Sequence, residues 1–483
     1  QIQEKEMPIE RRQNVHSVLI DQYTNSGLLN SSRKQSIDKL LSANTFTVCT
    51  GHQLNLLTGP AYFIYKIAGC IKQAQAISKE SGKTVLPVYW MASEDHDWDE
   101  INHTYLWRNK LSWDKEVQGP VGRTPLHGLK EVVHEFKTIL GNSASEVLSQ
   151  AIDKALNKSN NLAQFTFILV DAIFAQHELL ILDADSADLK RQFIPVMEDE
   201  LLNNPSLGQV QKHSKILETL GHKAQVTARE INLFYIEDDL RERIVAVENG
   251  FSSSSNTYHW TSQELLELLQ SNPEKFSPNV VLRPLYQEFT LPNLAYIGGP
   301  GELSYWLQLK GVFDHFNVVF PQLVLRNYAL FIKAKDVEKM KGLGLNISDF
   351  YQSLDTLLSR WGAQTGDTDL GEIKDKIQPI WKDLETKVQQ VDKSLENSVK
   401  ALEQKFSNEI SNLEKKMVKA VKQAETTKVN QIQKFHETIQ PNGVFQERYM
   451  NFFSLADSDY NKVISTLIDE MNTEEPSLMI CTI

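Results

Sequence analysis

The chain has 483 residues, a formal net charge of −12 and 41% hydrophobic residues, the composition of a globular protein with more than one module. No apolar run approaches the ~20 residues that a membrane-spanning helix needs, and no clustered basic face is suited to nucleic acid. The three cysteines lack metal-ligand spacing and argue against a disulfide framework, and the polar N-terminus has no signal-peptide core. We therefore expect a cytoplasmic protein with no membrane and no nucleic-acid partner.

A strand–helix–strand unit lies in the first predicted segment, residues 1–105. Residues 45–49 predict a strand, residues 61–79 a helix with apolar residues at helical spacing, and residues 84–92 a second, buried strand. This is the βαβ unit of a parallel sheet, in which the loops that follow the strands face the ligand crevice. The turn at 50–53 and the acidic loop at 93–100 should therefore lie at the same edge of the sheet.

The middle of the chain continues this core with two interruptions. Residues 106–165 predict a helical insertion, and residues 166–330 predict the second half of the core with a small, partly β-rich insertion near 205–270. The core elements expected there are strands at 178–183, 280–283, 294–297 and 318–321 and helices at 187–203 and 303–316. The fold class predicted is α/β, a doubly wound core with insertions.

The C-terminal third is predicted to be helical, with a connection at 331–371, a coil at 372–440 and a last segment at 441–483. Between Leu384 and Ala424 apolar residues recur at spacings of 4, 3 and 4, an 11-residue repeat typical of a nearly straight or slightly right-handed coil. A single helix over 372–438 would be roughly 100 Å long. Its apolar stripe needs a partner: a second copy of the chain, or an antiparallel helix around 347–361 or 448–471.

The turn after the first predicted strand is a candidate anion site. Thr50, Gly51, His52 and Gln53 place a glycine and a small hydroxyl before a helix, where backbone amides can approach an anion. His52 and Lys66 would add positive charge. The segment matches neither glycine-rich nucleotide motif, so a purely structural turn remains the alternative.

The acidic loop after the second predicted strand is the strongest candidate site. Its carboxylates, among them Glu94, Asp95 and Asp97, repel one another beside His96 and Asn102. A cation, a substrate ammonium group or hydroxyl groups must offset that repulsion, unless the loop is simply solvated. No paired-histidine spacing supports zinc, so we predict no bound metal, with Mg²⁺ on one or two carboxylates as the alternative.

A third candidate segment combines an arginine with a second glycine-rich turn. Its candidates for substrate binding are Arg283, Gln287, Tyr296, Gly299, Gly301 and Glu302. Arg283 could hold a carboxylate or a phosphate through two hydrogen bonds, and the turn would let backbone approach a ligand. The helix dipole alone also explains Glu302, which lies in the first turn of a predicted helix.

Taken together, these blocks resemble the bacillithiol synthase family. The resemblance is carried by residues 50–53, 57–60, 65–67, 87–97 and 100–103, by Arg283-Pro284 with Gln287-Glu288, and by residues 299–302 with Tyr305-Trp306. It spans nearly the whole chain, including the coil. Where the family commonly has Gly-Gln-Gln, this chain has Gly51-His52-Gln53.

The resemblance implies a Rossmann-like doubly wound core with connecting-peptide insertions, similar to class I aminoacyl-tRNA synthetases and the mycothiol ligase, and a homodimer held by a long C-terminal α-helical coiled coil. It implies a ligase that adds L-cysteine to the amine of glucosaminyl-malate. Because a carboxylate does not condense with an amine unaided, ATP, with Mg²⁺, is the expected co-substrate.

As site roles under this resemblance, the two glycine turns would hold phosphate or malate carboxylates. Asp95, Asp97 and Glu94 would hold the amine and the sugar hydroxyls, and His96 would act as general base. Two alternatives remain: a synthetase-like scaffold that assembles partners through its coil, and another ATP-dependent amide or glycosyl transferase.

Overall fold

A computed structural model describes residues 2–456 and 459–483, except for the side chain of Asn142. Gln1, Asp457 and Ser458, which belong to the first and last predicted segments, lie outside the described residues. The chain forms two compact units, one of Gln1–Leu330 with Glu447–Ile480 and one of Phe331–Gln446 with Cys481–Ile483. It passes from one unit to the other within the strands Tyr328–Ile332 and Leu478–Thr482 and the helix Gln446–Tyr449.

The first unit is built on a five-stranded sheet. Its strands, in chain order, are β1 (Thr45–His52), β2 (Thr84–Met91), β3 (Leu180–Asp183), β4 (Asn293–Gly298) and β5 (Gln322–Leu325). They lie in the order β5-β4-β1-β2-β3, and all neighbouring strands are parallel. The order reverses between β1 and β4, which is where open α/β sheets bind ligands, beyond the carboxyl ends of the strands. The predicted doubly wound core is confirmed.

Both faces of this sheet are covered, which explains its nearly continuous apolar strands. Every residue of β1 is buried, and so is every residue of β2 after Thr84. Helix α1 (Tyr62–Ser81) joins the two strands and ends at Gly82, whose φ of 66° is the left-handed conformation that glycine adopts readily. Cys70 of α1 packs into the core cluster with Val48 and other apolar strand residues.

Three further helices of the first unit belong to the core around the sheet: α2 (Ala187–Asn203), α3 (Arg283–Thr290) and α4 (Pro300–Gln308). The remaining helices of this unit are Ile9–Asn25, Ser31–Asp38, Trp98–Ile101, Leu129–Leu140, Glu146–Lys158, Leu162–Ile173, Pro205–Thr219, Ser262–Ser271, Lys310–His315, Phe452–Leu455 and Tyr460–Glu470. Its short 3-10 helices are Lys39–Leu41, Leu56–Thr58, Val121–Arg123, Gly141–Ser143 and Pro273–Lys275.

The insertions contain more β-structure than the sequence indicated. An antiparallel sheet pairs, in spatial order, Phe276–Pro278, Leu233–Glu237, Leu240–Val247, Gly250–Ser253 and His259–Trp260, so its strands reach residue 278, beyond the predicted insertion near 205–270. The strands His103–Leu106 and Asn109–Ser112 form a hairpin, so the purely helical reading of 106–165 is wrong at its start. Strands this short give too few residues for periodicity to distinguish them from helix.

Two predicted core strands are wrong, each for a local reason. Residues 280–282 form a turn and Arg283 already begins α3, because Pro284 lacks an N–H and suits the first turn of a helix. Residues 318–321 are irregular, and the strand follows them as β5. The helix predicted at 303–316 begins earlier, at Pro300, and is divided into α4 and Lys310–His315.

The second unit is largely helical. Its main helices are α5 (Leu354–Gly366), α6 (Gly371–Val391), α7 (Glu396–Ala424) and α8 (Thr426–Ile439), accompanied by Ala334–Gly342 and the short 3-10 helices Ile347–Tyr351, Lys393–Leu395 and Pro441–Gly443. The single helix predicted over 372–438 is wrong, because the backbone becomes extended at Asp392, with φ −158° and ψ 122°. The side chain of Asp392 accepts a hydrogen bond from the N–H of Ser394 at 2.8 Å, and the chain reverses there.

The apolar stripe of α7 is therefore covered, in part, within the same chain. Helices α6 and α7 lie antiparallel, with the rings of Trp381 and Phe406 5.9 Å apart. On α5, a Cβ added to Gly362 would lie 3.2 Å from Cγ1 of Val418, so these two helices approach closely. This confirms the alternative of an antiparallel partner around 347–361. Val391 stays 82% exposed, and the homodimer remains a prediction.

None of the helices in the described ranges is both long enough and apolar enough to cross a membrane.

Candidate active site

At the switch point, where the strand order reverses between β1 and β4, the end of β1 lies beside the first turn of α3. A Cβ on Gly51 would lie 3.1 Å from an NH1 nitrogen of Arg283 and 3.2 Å from the hydroxyl oxygen of Tyr296. Glycine at residue 51 thus leaves room for a guanidinium and a phenol beside the backbone. Arg283 donates to Oε1 of Gln287 at 3.2 Å, and buried Gln287 donates in turn to Glu288 at 2.9 Å.

The guanidinium of Arg283 forms no ion pair with a carboxylate in the described part of the chain, residues 2–456 and 459–483. The side chain is partly exposed, and its guanidinium carbon lies 5.9 Å from the ring centres of Tyr296 and Trp306. Those two rings stack with centroids 4.2 Å apart. A guanidinium in this setting can bind a carboxylate or a phosphate through two parallel hydrogen bonds.

The second glycine turn is occupied by the chain's own carboxylate. Oε2 of Glu302 accepts from the Gly299 N–H at 2.9 Å and from the Lys66 ammonium at 2.7 Å, and Oε1 accepts from the Tyr296 hydroxyl at 2.9 Å. Burial alone would raise the pKa of Glu302, but Lys66 and the Gly299 N–H lower that pKa to about 2. The Gly299 amide is therefore not free for a ligand, whereas the Cβ position of Gly301 faces open space.

The first turn mainly supports the fold. The hydroxyl of Thr50 donates to the carbonyl oxygen of Ile297 at 2.8 Å and so links β1 to β4. His52 is buried beside Tyr62 and Phe63, with ring centroids 5.2 and 4.9 Å away. Burial, together with the charge of Lys66, lowers the pKa of His52 to about 3. The expectation that His52 adds positive charge is therefore wrong, because a ring buried among aromatic residues stays neutral.

Asp95 is held as a carboxylate at the edge of the sheet. Its Oδ2 accepts from Nε2 of Gln53 at 2.8 Å, and its Oδ1 accepts from the His96 N–H at 2.8 Å. Nε2 of Gln53 also lies 3.0 Å from Glu100. Although burial disfavours the charged form, His96, Arg241 and Gln53 hold the pKa of Asp95 well below its usual range. Asp95 thus stays anionic.

The other predicted residues of the acidic loop do not converge on one site. Glu94 is buried and forms a 2.5 Å ion pair with Lys190, and burial raises its pKa despite that partner. Asp97 is exposed, just before the helix Trp98–Ile101. Oδ1 of Asn102 lies 3.0 Å from Nδ1 of His103. No group of three metal-ligating side chains occurs among the described residues.

A buried ionic cluster lies behind Glu94. Lys190 also pairs with Asp185 at 3.0 Å, and Asp185 accepts from Nε and NH2 of Arg123 at 2.7 and 3.0 Å. Asp183 accepts a hydrogen bond from the Ser93 hydroxyl, which ties the acidic loop to the end of β3. Burial and the charge of Asp185 raise the pKa of Asp183 to about 7.

Several site residues were missed from the sequence. Asp183 and Asp185 could have been found, because Asp183 ends β3 and Asp185 follows it at the carboxyl edge where ligands bind. Arg241 could not, since it comes from the antiparallel insertion, yet its NH1 lies 2.7 Å from Nδ1 of His96. Nor could Arg326, whose NH1 pairs with Glu447 at 3.0 Å across 121 residues of sequence.

Comparison with known proteins identifies the family. The family models "Bacillithiol biosynthesis BshC, N-terminal Rossmann-like domain" and "Bacillithiol biosynthesis BshC, C-terminal coiled-coil domain" match residues 1–327 and 329–483. Relatives named "Putative cysteine ligase BshC" include one from Flavobacterium johnsoniae, 43% identical over 345 residues, or 71% of this chain and 65% of that protein. Another, from Flavobacterium psychrophilum, is 42% identical over 356 residues, 72% of this chain and 66% of that protein.

A more distant relative of the same name, from Bacillus anthracis, is 32% identical over 340 residues, 68% of this chain and 63% of that protein. The matches thus span about two thirds of the length of these curated relatives. A solved structure described as a putative arginyl-tRNA synthetase from Campylobacter jejuni matches 89% of this chain and 94% of that one at 10% identity. Its TM-score of 0.26 is too low to support any conclusion. On the two family models, the chain belongs to the BshC family of bacillithiol biosynthesis.

Proposed function

We propose that this chain is a ligase that forms an amide bond between the carboxyl group of cysteine and the amine of glucosaminyl-malate. The name shared by the relatives, cysteine ligase, supports the reaction class. The observation that carries the proposal is the presence of two opposite charges at one edge of the sheet. These are the guanidinium of Arg283, which has no carboxylate partner among the described residues, and the ionised carboxylate of Asp95.

Both charges are tied to the end of β1 and the residue that follows it. Gly51 leaves room for Arg283, and Gln53, two residues further on, holds Asp95. Amide formation brings a carboxylate and an amine together, and an amine is an ammonium ion until it loses a proton. A cationic group for the carboxylate and an anionic group for the ammonium ion are therefore the two recognition elements that the reaction needs.

We also propose ATP, with Mg²⁺, as co-substrate, because a carboxylate reacts with an amine only after activation. Arg283 would hold phosphate or carboxylate oxygens, together with the open backbone around Gly301. The Gly299 amide would not take part, since it donates to Glu302. We also propose that the reaction takes place in the cytoplasm.

The test is product formation by the purified chain. Cysteine, glucosaminyl-malate and one nucleotide at a time would be supplied, and bacillithiol would be measured by mass. Removing one preorganised donor or charge typically costs roughly 100-fold in rate, so we expect Arg283→Ala and Asp95→Asn each to lose about that factor in kcat/KM. The exposed Arg191 and Asp188, as Arg191→Ala and Asp188→Asn, provide matched controls.

Three outcomes would contradict the proposal. No product with any nucleotide would refute a self-sufficient ligase, and product that forms only when another protein is added would point to a scaffold. Full activity in both site variants would show that the two charges are not used. A scaffold further predicts that these variants leave cellular thiol levels intact while disruption of the coil lowers them.

A ligand screen would separate the proposed reaction from another amide or glycosyl transfer. Only molecules that bind the folded state raise the melting temperature, so cysteine and glucosaminyl-malate should do so and unrelated amino sugars should not. The proposed homodimer would be tested in parallel by sedimentation of the purified chain.

A further inference from the structure

The antiparallel insertion reaches the acidic loop through one side chain. Arg241, in the strand Leu240–Val247, has its NH1 nitrogen 2.7 Å from Nδ1 of His96. Its guanidinium carbon lies 3.8 Å from the ring centre of Phe234, and the His96 ring lies 5.8 Å from the same ring. Phe234 thus supports the two polar side chains from one side.

The chemistry of this contact determines which His96 nitrogen bears the proton. A guanidinium has only donors, so Nδ1 of His96 must accept, and in the neutral ring the proton must be on Nε2. Asp95 would favour the opposite tautomer, but its Oδ1 lies 3.5 Å from Nδ1 and already accepts from the His96 backbone N–H. The Arg241 contact is the shorter one and dominates.

We propose that Arg241 is a positioning residue that holds His96 as its Nε2–H tautomer, so that His96 donates a hydrogen bond to a substrate oxygen instead of accepting a proton. The side chain of His96 is 46% exposed, so a ligand can reach it. The acceptor is a carbonyl, carboxylate or phosphate oxygen. The role of donor replaces that of general base, which was expected from the sequence. In this tautomer the only ring nitrogen with a lone pair is Nδ1, and it already accepts from Arg241. The catalytic use of the donor rests on the proposed function, whereas the tautomer does not.

The tautomer is measured by ¹⁵N NMR of the full chain labelled in histidine, at a pH where the ring is neutral. His96 is assigned by the signals lost in His96→Gln. We expect a protonated Nε2 and a bare Nδ1 in the wild type and in Arg241→Lys. In Arg241→Glu, whose carboxylate only accepts, the proton should move to Nδ1.

Arg243→Gln is the matched control, since Arg243 lies on the same strand, is exposed and makes no side-chain hydrogen bond or ion pair with the described residues. It should keep the wild-type pattern. A proton on Nδ1 of the wild type would overturn the proposal without any variant. So would a pattern that Arg241→Glu leaves unchanged while its other histidine signals report a folded chain.

Kinetics separate a donor from a base. Glutamine keeps an N–H donor, so His96→Gln should retain kcat within about tenfold of the wild type, while His96→Ala should lose roughly 100-fold. Equal, large losses in both variants would indicate a base and overturn the catalytic part of the proposal. If the wild-type chain forms no product, the proposed function fails, and the NMR measurement still decides the tautomer.

Discussion

The ammonium of Lys66 lies 2.7 Å from Oε2 of Glu302 and 2.6 Å from the carbonyl oxygen of Gly51. One buried side chain therefore joins α1, the N-terminus of α4 and the end of β1. Only 3% of the Lys66 side chain is exposed, against 29% of that of Glu302. Burial lowers the pKa of Lys66, and the charge of Glu302 opposes that shift. The pair thereby holds the two glycine turns next to each other at the switch point.

Replacing this lysine should destabilise the first unit. Lys66→Met leaves Glu302 without its cation, and breaking a buried ion pair on one side costs about 2–4 kcal/mol in the free energy of unfolding. The double variant Lys66→Met, Glu302→Gln should recover part of that loss. Denaturant unfolding measures both. Lys79→Met, an exposed change in the same helix, should stay within about 0.5 kcal/mol of the wild type, and an equal effect there would remove the assigned role of the pair.

Asp183 should make stability depend on pH. Its pKa is about 7 in the folded chain, against a reference value of 3.8, so the folded state binds more protons between those pH values. Stability from this group is complete below pH ~4 and is lost as the pH rises through 7. Asp183→Asn, which can still accept from Ser93, should gain stability relative to the wild type over that interval, on the order of 4 kcal/mol.

The measurement is denaturant unfolding of both proteins from pH 4.5 to 8. Asp188→Asn, at an exposed position, is the control and should show no such trend. A difference between Asp183→Asn and the wild type that is flat or falls with pH would contradict the assignment of a raised pKa.

Gly51→Ala should impair binding more than stability. The new methyl group would press on the flexible end of Arg283 and on the Tyr296 hydroxyl, so the backbone is spared while the guanidinium is displaced. We expect less than about 1 kcal/mol of destabilisation but roughly tenfold weaker binding of the carboxylate substrate, because the added methyl group displaces a guanidinium whose two hydrogen bonds depend on its position.

Isothermal titration with glucosaminyl-malate and with cysteine would measure this loss, beside denaturant unfolding. Gly208→Ala, on the helix Pro205–Thr219 with no atom within 4 Å of its added Cβ, is the control. Unchanged affinity for both ligands in Gly51→Ala would show that Arg283 does not bind either of them.

Gly366→Ala should loosen the helical unit. A Cβ there would lie 2.2 Å from Cγ2 of Val421, so α5 and α7 would have to separate, at about 1–3 kcal/mol for overpacking. Hydrogen exchange in α5 and α7 should rise. Gly342→Ala, which also alters the last residue of a helix but meets no atom within 4 Å, should leave exchange unchanged. Equal exchange in the two variants would mean that the close approach is not essential.

Local patterns in the sequence predicted the core because its strands are buried on both faces. Apolar runs at β1 and β2, with the helical spacing of α1 between them, suffice to indicate a parallel βαβ unit. The same approach failed at 280–283, where an apolar triplet ends a loop and Arg283 begins a helix with Pro284 in its first turn. It also failed at 392–395, since the repeat of apolar residues continues through a reversal of the chain. Periodicity reports which face is apolar, and it does not report where a helix turns back.

For the site, the sequence by itself determined that Gly51 and Asp95 would lie at one edge of the sheet, because the carboxyl ends of parallel strands do so. Arg283 reaches that edge from the first turn of α3, which the sequence pattern had assigned to a strand. Only the tertiary structure decided their chemistry. Packing leaves Arg283 without a carboxylate partner among the described residues and keeps His52 neutral, and Lys66 reaches from α1 to Glu302, which accepts from the Gly299 amide. Arg241, in the proposal above, likewise determines which nitrogen of His96 bears the proton. Burial and neighbouring charge depend on packing in three dimensions, and no local pattern of residues encodes them.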